Sequence, residues 1–114
     1  MRIDIQARGF ELTSALRAHA ERRLQFALDW AGREVRKVNV RLSDINGPRG
    51  GSDKRCAIQI KIGEKNLVVE DTKDDLYLAI DRAVERSKRM LSRRLARLRE
   101  HQHTRPTAGE PVLA

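Results

Sequence analysis

A single cysteine, Cys56, rules out an internal disulfide and leaves a thiolate zinc site without its ligands. That scarcity fits a reducing cytoplasm. No apolar run approaches the roughly 18 residues of a membrane span. The N-terminus opens on the alternating charges Arg2 and Asp4, where an export signal would place a basic stretch before an apolar one. The expectation is a protein that is neither exported nor membrane-spanning. Aromatic residues amount to 4%, too few for the rows of exposed rings that stack single-stranded bases. Length is short as well: 114 residues make one domain, which excludes a multidomain enzyme.

Acidic residues are outnumbered. Sixteen Asp plus Glu stand against 24 Lys plus Arg, giving a net charge of +8, the balance of a chain that meets a polyanion. With base stacking disfavoured, phosphates and helix shape are the features left to recognise, so the expected partner is folded nucleic acid.

Period-two alternation over Arg2–Arg8 sets Ile3, Ile5 and Ala7 against Asp4, Gln6 and Arg8, the pattern of a half-buried strand. Gly9 ends it. Leu12 and Thr13 have the form of a staple residue and an N-cap, and Leu16, Ala20, Leu24, Ala27 and Leu28 follow at helical spacing, predicting a helix from Ser14 to Trp30. After Gly32, Val38, Val40 and Leu42 alternate with polar residues as a second strand. Ser43 to Arg55, with Asn46-Gly47-Pro48 and Gly50-Gly51, predicts a long hairpin loop. Cys56, Ile58, Ile60 and Ile62 form the next inward row. A turn over Gly63–Asn66 and a strand from Leu67 complete a three-stranded meander.

Thr72 and Asp75 have capping-box spacing. Beyond them Leu76, Ile80, Ala83, Val84, Leu91, Leu95 and Leu98 make one apolar stripe, the core face of a long helix. After about Glu100 the periodicity ends in a Pro/Gly-containing segment that reads as a frayed tail. The expected architecture is α+β: strand, helix, three strands, helix, with both helices on one face of a four-stranded sheet and the other face open. Residues 1–99 form the domain and 100–114 the tail.

Opposite the apolar stripe, Arg82, Arg86, Arg89, Arg93 and Arg97 fall within about a quarter-turn of one another at 100° per residue. From Leu76 to Arg99 there are eight basic residues, Lys88 among them, and two acidic ones, Asp81 and Glu85. A charge run is ordinarily a solvated helix face. Such a face mixes signs, however, whereas Arg82/Arg86, Arg89/Arg93 and Arg93/Arg97 set like charges one turn apart, a repulsion that an external anion relieves. Arginine also suits two-point hydrogen bonding to phosphate. The first helix adds Arg17, Arg22 and Arg23, which would frame a basic groove with the second helix or serve only solubility; His19 reads as an exposed polar residue.

Catalytic and metal readings fare worse. Cys56 opens an apolar row and reads as a buried structural thiol. His101 and His103 lack further ligands, Asp74 and Asp75 sit where a helix N-terminus favours negative charge, and Gly47–Gly51 lacks the Lys-Ser/Thr of a phosphate loop. No enzyme, metal or cofactor is expected.

The segment Asp75-Leu76-Tyr77-Leu78-Ala79-Ile80-Asp81 opening a basic last helix, with Leu12-Thr13-Ser14-Ala15-Leu16-Arg17 opening the first, resembles the short-form ribosome hibernation promoting factors of the ribosome-associated inhibitor family. The resemblance covers about residues 1 to 99. It implies a β-α-β-β-β-α domain that enters the small ribosomal subunit, of whole ribosomes too, and lies across the messenger and transfer RNA channel at the decoding region. Translation is thereby inhibited in stationary phase or stress. Family RNA-contact positions carry over to Arg23, Arg86, Arg89, Arg93 and Arg97, with Arg17, Arg22, Arg82 and Lys88 as supplements. Tyr77 is expected to pack at the helix–sheet junction and Asp81 to pair with a neighbouring arginine. The long family form has a C-terminal dimerisation domain; the short tail here implies a monomer when free and argues against self-driven ribosome pairing. Two other readings remain open: a general duplex-RNA binder, and a module docking on an acidic protein.

Overall fold

A computed structural model of the chain describes the backbone of residues 1–45 and 53–109 and the side chains of 1–45 and 53–99. The order is β1 (Arg2–Arg8), α1 (Ser14–Leu28), a 3-10 turn (Asp29–Ala31), β2 (Val35–Asp44), β3 (Lys54–Ile62), β4 (Lys65–Lys73) and α2 (Leu76–Gly109). The sheet order is β1-β2-β3-β4, with β1 parallel to β2 and the remaining pairs antiparallel. This is the expected α+β architecture.

Alternation fixes the layers. The register sets Ile5 beside Val40, Val40 beside Ile58 and Ile58 beside Val69, so one sheet face is a continuous apolar row. Leu24 and Leu28 of α1 and Ile80, Val84 and Leu91 of α2 close over that face, each at most 2% exposed. A one-residue slip in any strand would turn its apolar set to water, which is why the pattern specifies the pairing so strongly. Thr13 caps α1, its hydroxyl oxygen accepting from the Leu16 N–H at 3.1 Å. Gly63, at φ +59, belongs to the tight turn between Ile62 and Lys65, a backbone conformation that a side chain would strain.

Four local expectations are corrected. Helix α1 ends at Leu28 and passes into the 3-10 turn, short of Trp30. The Thr72–Asp75 capping box does not form: Thr72 lies in β4 opposite Arg55, and the first α2 bond runs from the Ala79 N–H to the Asp75 carbonyl, which makes Asp75 the N-cap. Pairing claimed Thr72 before the helix could. The β2–β3 loop is shorter than the expected Ser43–Arg55, because the ladder continues through Ser43↔Arg55 and Asp44↔Lys54, and the Ile45 N–H donates to the Asp53 carbonyl. Its tip, residues 46–52 with Arg49, lies outside the described residues.

Finally, α2 does not stop near Glu100. Its backbone stays helical to Gly109, passing Pro106 without the bond a N–H there would make to the Gln102 carbonyl. Apolar periodicity reports burial, and Leu95 is the last buried side chain among the described residues of the helix. Beyond it a nucleated helix propagates with no stripe to announce it. At 34 residues, α2 is about 50 Å long, against about 30 Å for the longest strands.

Cys56 is fully buried, and burial, helped by the charge of Asp71, pushes its thiol up to about 12 from an ordinary 9.0. The unfolded thiol then ionises while the folded one stays protonated, so stability is intact below pH 9 and falls above it. Raising the pH from 9 to 10.5 should remove about 2 kcal/mol through this group. Urea titrations at both pH values check it: in Cys56→Ala the loss between them should be smaller by that amount.

Candidate nucleic-acid interface

Helix α2 presents its basic side because its other side is committed to the core. Ile80, Ala83, Val84, Ser87, Leu91 and Leu95 are buried, while Arg82, Arg86, Arg89, Arg93 and Arg97 on the opposite side are exposed. Ser87 tolerates the core because its hydroxyl donates to the Ala83 carbonyl at 2.8 Å. The arginines differ in their freedom. Arg86 Nη1 donates to the Glu70 carbonyl at 2.9 Å and lies 3.8 Å from Asp71, so it straps α2 to β4. Arg82 lies 4.0 Å from Glu85, a wide-open pair of little energetic weight. Among the described residues, no carboxylate lies within ion-pair distance of Arg89, Arg93 or Arg97. The free part of the ladder is its C-terminal half.

The α1–α2 seam holds a small polar cluster. His19 Nε2 meets Asp81 Oδ1 at 2.7 Å, and Arg23 Nε lies 3.1 Å from the same oxygen as an ion pair lacking hydrogen-bond alignment. Against a carboxylate, His19 Nε2 has to carry the proton. Tyr77 meets the His19 ring edge-on, centroids 4.9 Å apart. Asp81 thus pairs with an arginine as expected. Tyr77, expected at the helix–sheet junction, instead packs against α1, and His19 is half-buried where an exposed residue was expected.

The three α1 arginines do not line one groove. At 100° per residue Arg17 and Arg23 stand about 120° apart, and Arg22 about 100° from Arg23. Of the three, Arg23 is the one paired across to α2, through Asp81. Lys88 is exposed on α2, about 100° round the helix from Arg89 and off the arginine ladder. Among the described residues no group of His, Cys, Asp and Glu is arranged to hold a metal ion, and no helix is long and apolar enough to cross a membrane.

Sequence reasoning missed the clip at the mouth of the β2–β3 hairpin. Lys54 Nζ lies 3.1 Å from Asp53, a carboxylate only 2% exposed, and 3.2 Å from Asp44. The hydrogen bonds to Asp53 and then Asp44 raise the ammonium above its ordinary pKa. Alternating acid and base at a hairpin mouth is the one local signal that could have suggested it.

With a basic helix laid across a four-stranded sheet, the comparison with known proteins becomes specific. The family model described as sigma 54 modulation protein / S30EA ribosomal protein matches residues 3–99. The chain belongs to that family. The match takes in α1, β2 to β4, all but the first residue of β1, and α2 through the whole arginine ladder. A ribosomal subunit interface protein from Coxiella burnetii superposes with a TM-score of 0.73 at 21% identity, covering 84% of this chain and 99% of that one. The N-terminal domain of Protein Y from Thermus thermophilus does so at 0.67 with 30% identity, covering 82% of this chain and 98% of that one. No curated protein sequence matches. The family is one of ribosome-associated proteins, and its model stops ten residues short of the end of α2.

Proposed function

We propose that this protein is a ribosome hibernation factor of the cytoplasm, which binds the small ribosomal subunit at the decoding region and occludes the messenger and transfer RNA channel, holding translation off in stationary phase or stress. One observation carries the reading: a row of arginines on a helix whose far side is locked into the core, with Arg89, Arg93 and Arg97 lacking carboxylate partners among the described residues. A rigid rod bearing unneutralised, phosphate-matched charge suits binding by counterion release, without base readout or bond making. Family membership supplies the ribosome as the source of the phosphates. Residues 1–99 act as the binding unit, as a monomer and without a cofactor. Arg23 and Arg86 contribute through whatever part of each guanidinium its Asp81 or Glu70 contact leaves open, and Arg17, Arg22, Arg82 and Lys88 add positive field.

Binding to purified small subunits between 50 and 200 mM salt tests this. With about five phosphates neutralised by the arginine ladder alone, the logarithm of affinity should fall against the logarithm of salt with a slope of about −4 to −5 or steeper. Bound protein should also be displaced by messenger and transfer RNA. A slope near zero, or binding indifferent to both RNAs, would overturn the reading.

A further inference from the structure

The sheet has a second broad face that neither helix covers. Register arranges its side chains in four rows across the strands: Arg2, Lys37, Lys61, Asn66; then Asp4, Asn39, Gln59, Val68; then Gln6, Arg41, Ala57, Glu70; then Arg8, Ser43, Arg55, Thr72. In the first row three cations stand directly opposite one another on neighbouring strands, where like charges destabilise a sheet. Asp4 neutralises Lys37 at 3.3 Å. Among the described residues no carboxylate lies within ion-pair distance of Arg2, Arg41, Arg55 or Lys61.

Charge is partitioned, not scattered. This face carries six cations and two carboxylates. Residues 76–99 of α2 carry eight and two. That leaves ten cations and twelve carboxylates for the rest of the chain, a net negative remainder. Solubility alone would not drive the positive charge onto two opposed faces of one slab. The open face also offers little that a protein partner would grip: within its four rows Val68 is the one large exposed hydrophobic residue, Ile45 follows Ser43 only at the hairpin end, and Phe10, Phe26, Trp30 and Tyr77 all lie elsewhere. Its two middle rows hold the amides Gln6, Asn39 and Gln59 together with Arg41, and both of the face's carboxylates, Asp4 and Glu70, stand at the outer strands of those rows. The amides are able to hydrogen-bond sugar hydroxyls between two flanking cationic rows.

We infer that the open sheet face is a second RNA-binding surface, so that the domain is gripped by RNA backbone from both sides: one segment on the arginines of α2, another on Arg2, Arg41, Arg55 and Lys61. This rests on the ribosomal reading above for the identity of the RNA. It adds that the domain acts as a bridge between two RNA walls, beyond the single basic helix.

The test compares wild type, Arg41→Gln/Lys61→Gln on the sheet and Arg89→Gln/Arg93→Gln on the helix, with binding to purified small subunits measured from 50 to 200 mM salt. Arg2→Gln/Arg8→Gln on β1 serves as a second sheet variant should the first alter the urea midpoint. Each double variant should flatten the salt slope by about 2 and weaken binding about 30-fold at 150 mM salt, with the helix and sheet losses adding. A photo-crosslinker placed at Gln59 should attach to ribosomal RNA. If the helix variant weakens while both sheet variants keep wild-type affinity and slope, or if the crosslink falls only on protein, the second surface is overturned and the hibernation reading stands. If wild type itself fails to bind subunits, it is the hibernation reading that fails.

Discussion

Reversing Arg89, Arg93 and Arg97 to Glu should weaken binding to small subunits by at least about 100-fold at 150 mM salt and flatten the salt dependence by roughly 3 in slope. Each phosphate contact contributes about 0.9 to the slope, hence roughly 0.7 logarithmic units of affinity at that salt, and reversal adds repulsion to the loss. These three are chosen over Arg86 because Arg86 also straps α2 to β4 through the Glu70 carbonyl, so its loss would mix folding with binding. The variant should fold as well as wild type: all three side chains are exposed, and reversal exchanges one set of like-charge pairs one turn apart for another of similar cost, leaving stability within about 0.5 kcal/mol. Sucrose-gradient sedimentation with purified subunits separates the outcomes. The variant should stay at the top of the gradient with an unchanged urea midpoint; co-sedimentation at wild-type affinity would remove α2 from the interface.

Much of this molecule is written in short-range pattern. Val38, Val40 and Leu42 against Cys56, Ile58, Ile60 and Ile62 announce their strands because one wet face forces alternation, and Thr13 announces α1 because an orphan N–H needs an acceptor. The arginine ladder was legible for the same reason: helical geometry alone puts Arg82 to Arg97 on one side. What escaped the sequence is what depends on distant partners. His19 and Asp81 lie 62 residues apart, so nothing near either one marks the seam that joins them. Ser87 interrupts the apolar stripe chemically yet is buried, since its hydroxyl is satisfied within its own helix, while Leu98 continues the stripe yet stays 41% exposed because the core has ended.

The open face shows the same division at larger scale. Lys37, Asn39 and Arg41 read as the wet side of a strand from β2 alone. That Lys37 is flanked by Arg2 and Lys61 is a property of register, set by pairings between segments more than twenty residues apart. A strand-by-strand reading therefore sees ordinary solubility where the assembled sheet concentrates charge. Helix α2 escapes this difficulty because its neighbours in space are its neighbours in sequence.

Leu91→Ala provides the opposite dissociation to the ladder variant. Leu91 is fully buried on α2, flanked in sequence by the outward Arg89 and Arg93. Truncating it removes the transfer energy of its methyl and methylene groups and leaves a cavity that a sheet-backed core closes only in part, a cost of about 2–5 kcal/mol. Against a total stability of about 5–15 kcal/mol, that should lower the urea midpoint by about a third at the middle of both ranges, with the slope of the transition unchanged. The ladder itself is untouched, so folded molecules should bind subunits with wild-type salt dependence. Added subunits should then raise the melting temperature of Leu91→Ala, since a ligand that binds only the folded state stabilises it by mass action. The ladder variant should show no such shift. If instead Leu91→Ala folds normally and loses binding, α2 is not a rod braced by the core, and the rigidity on which channel occlusion depends is gone.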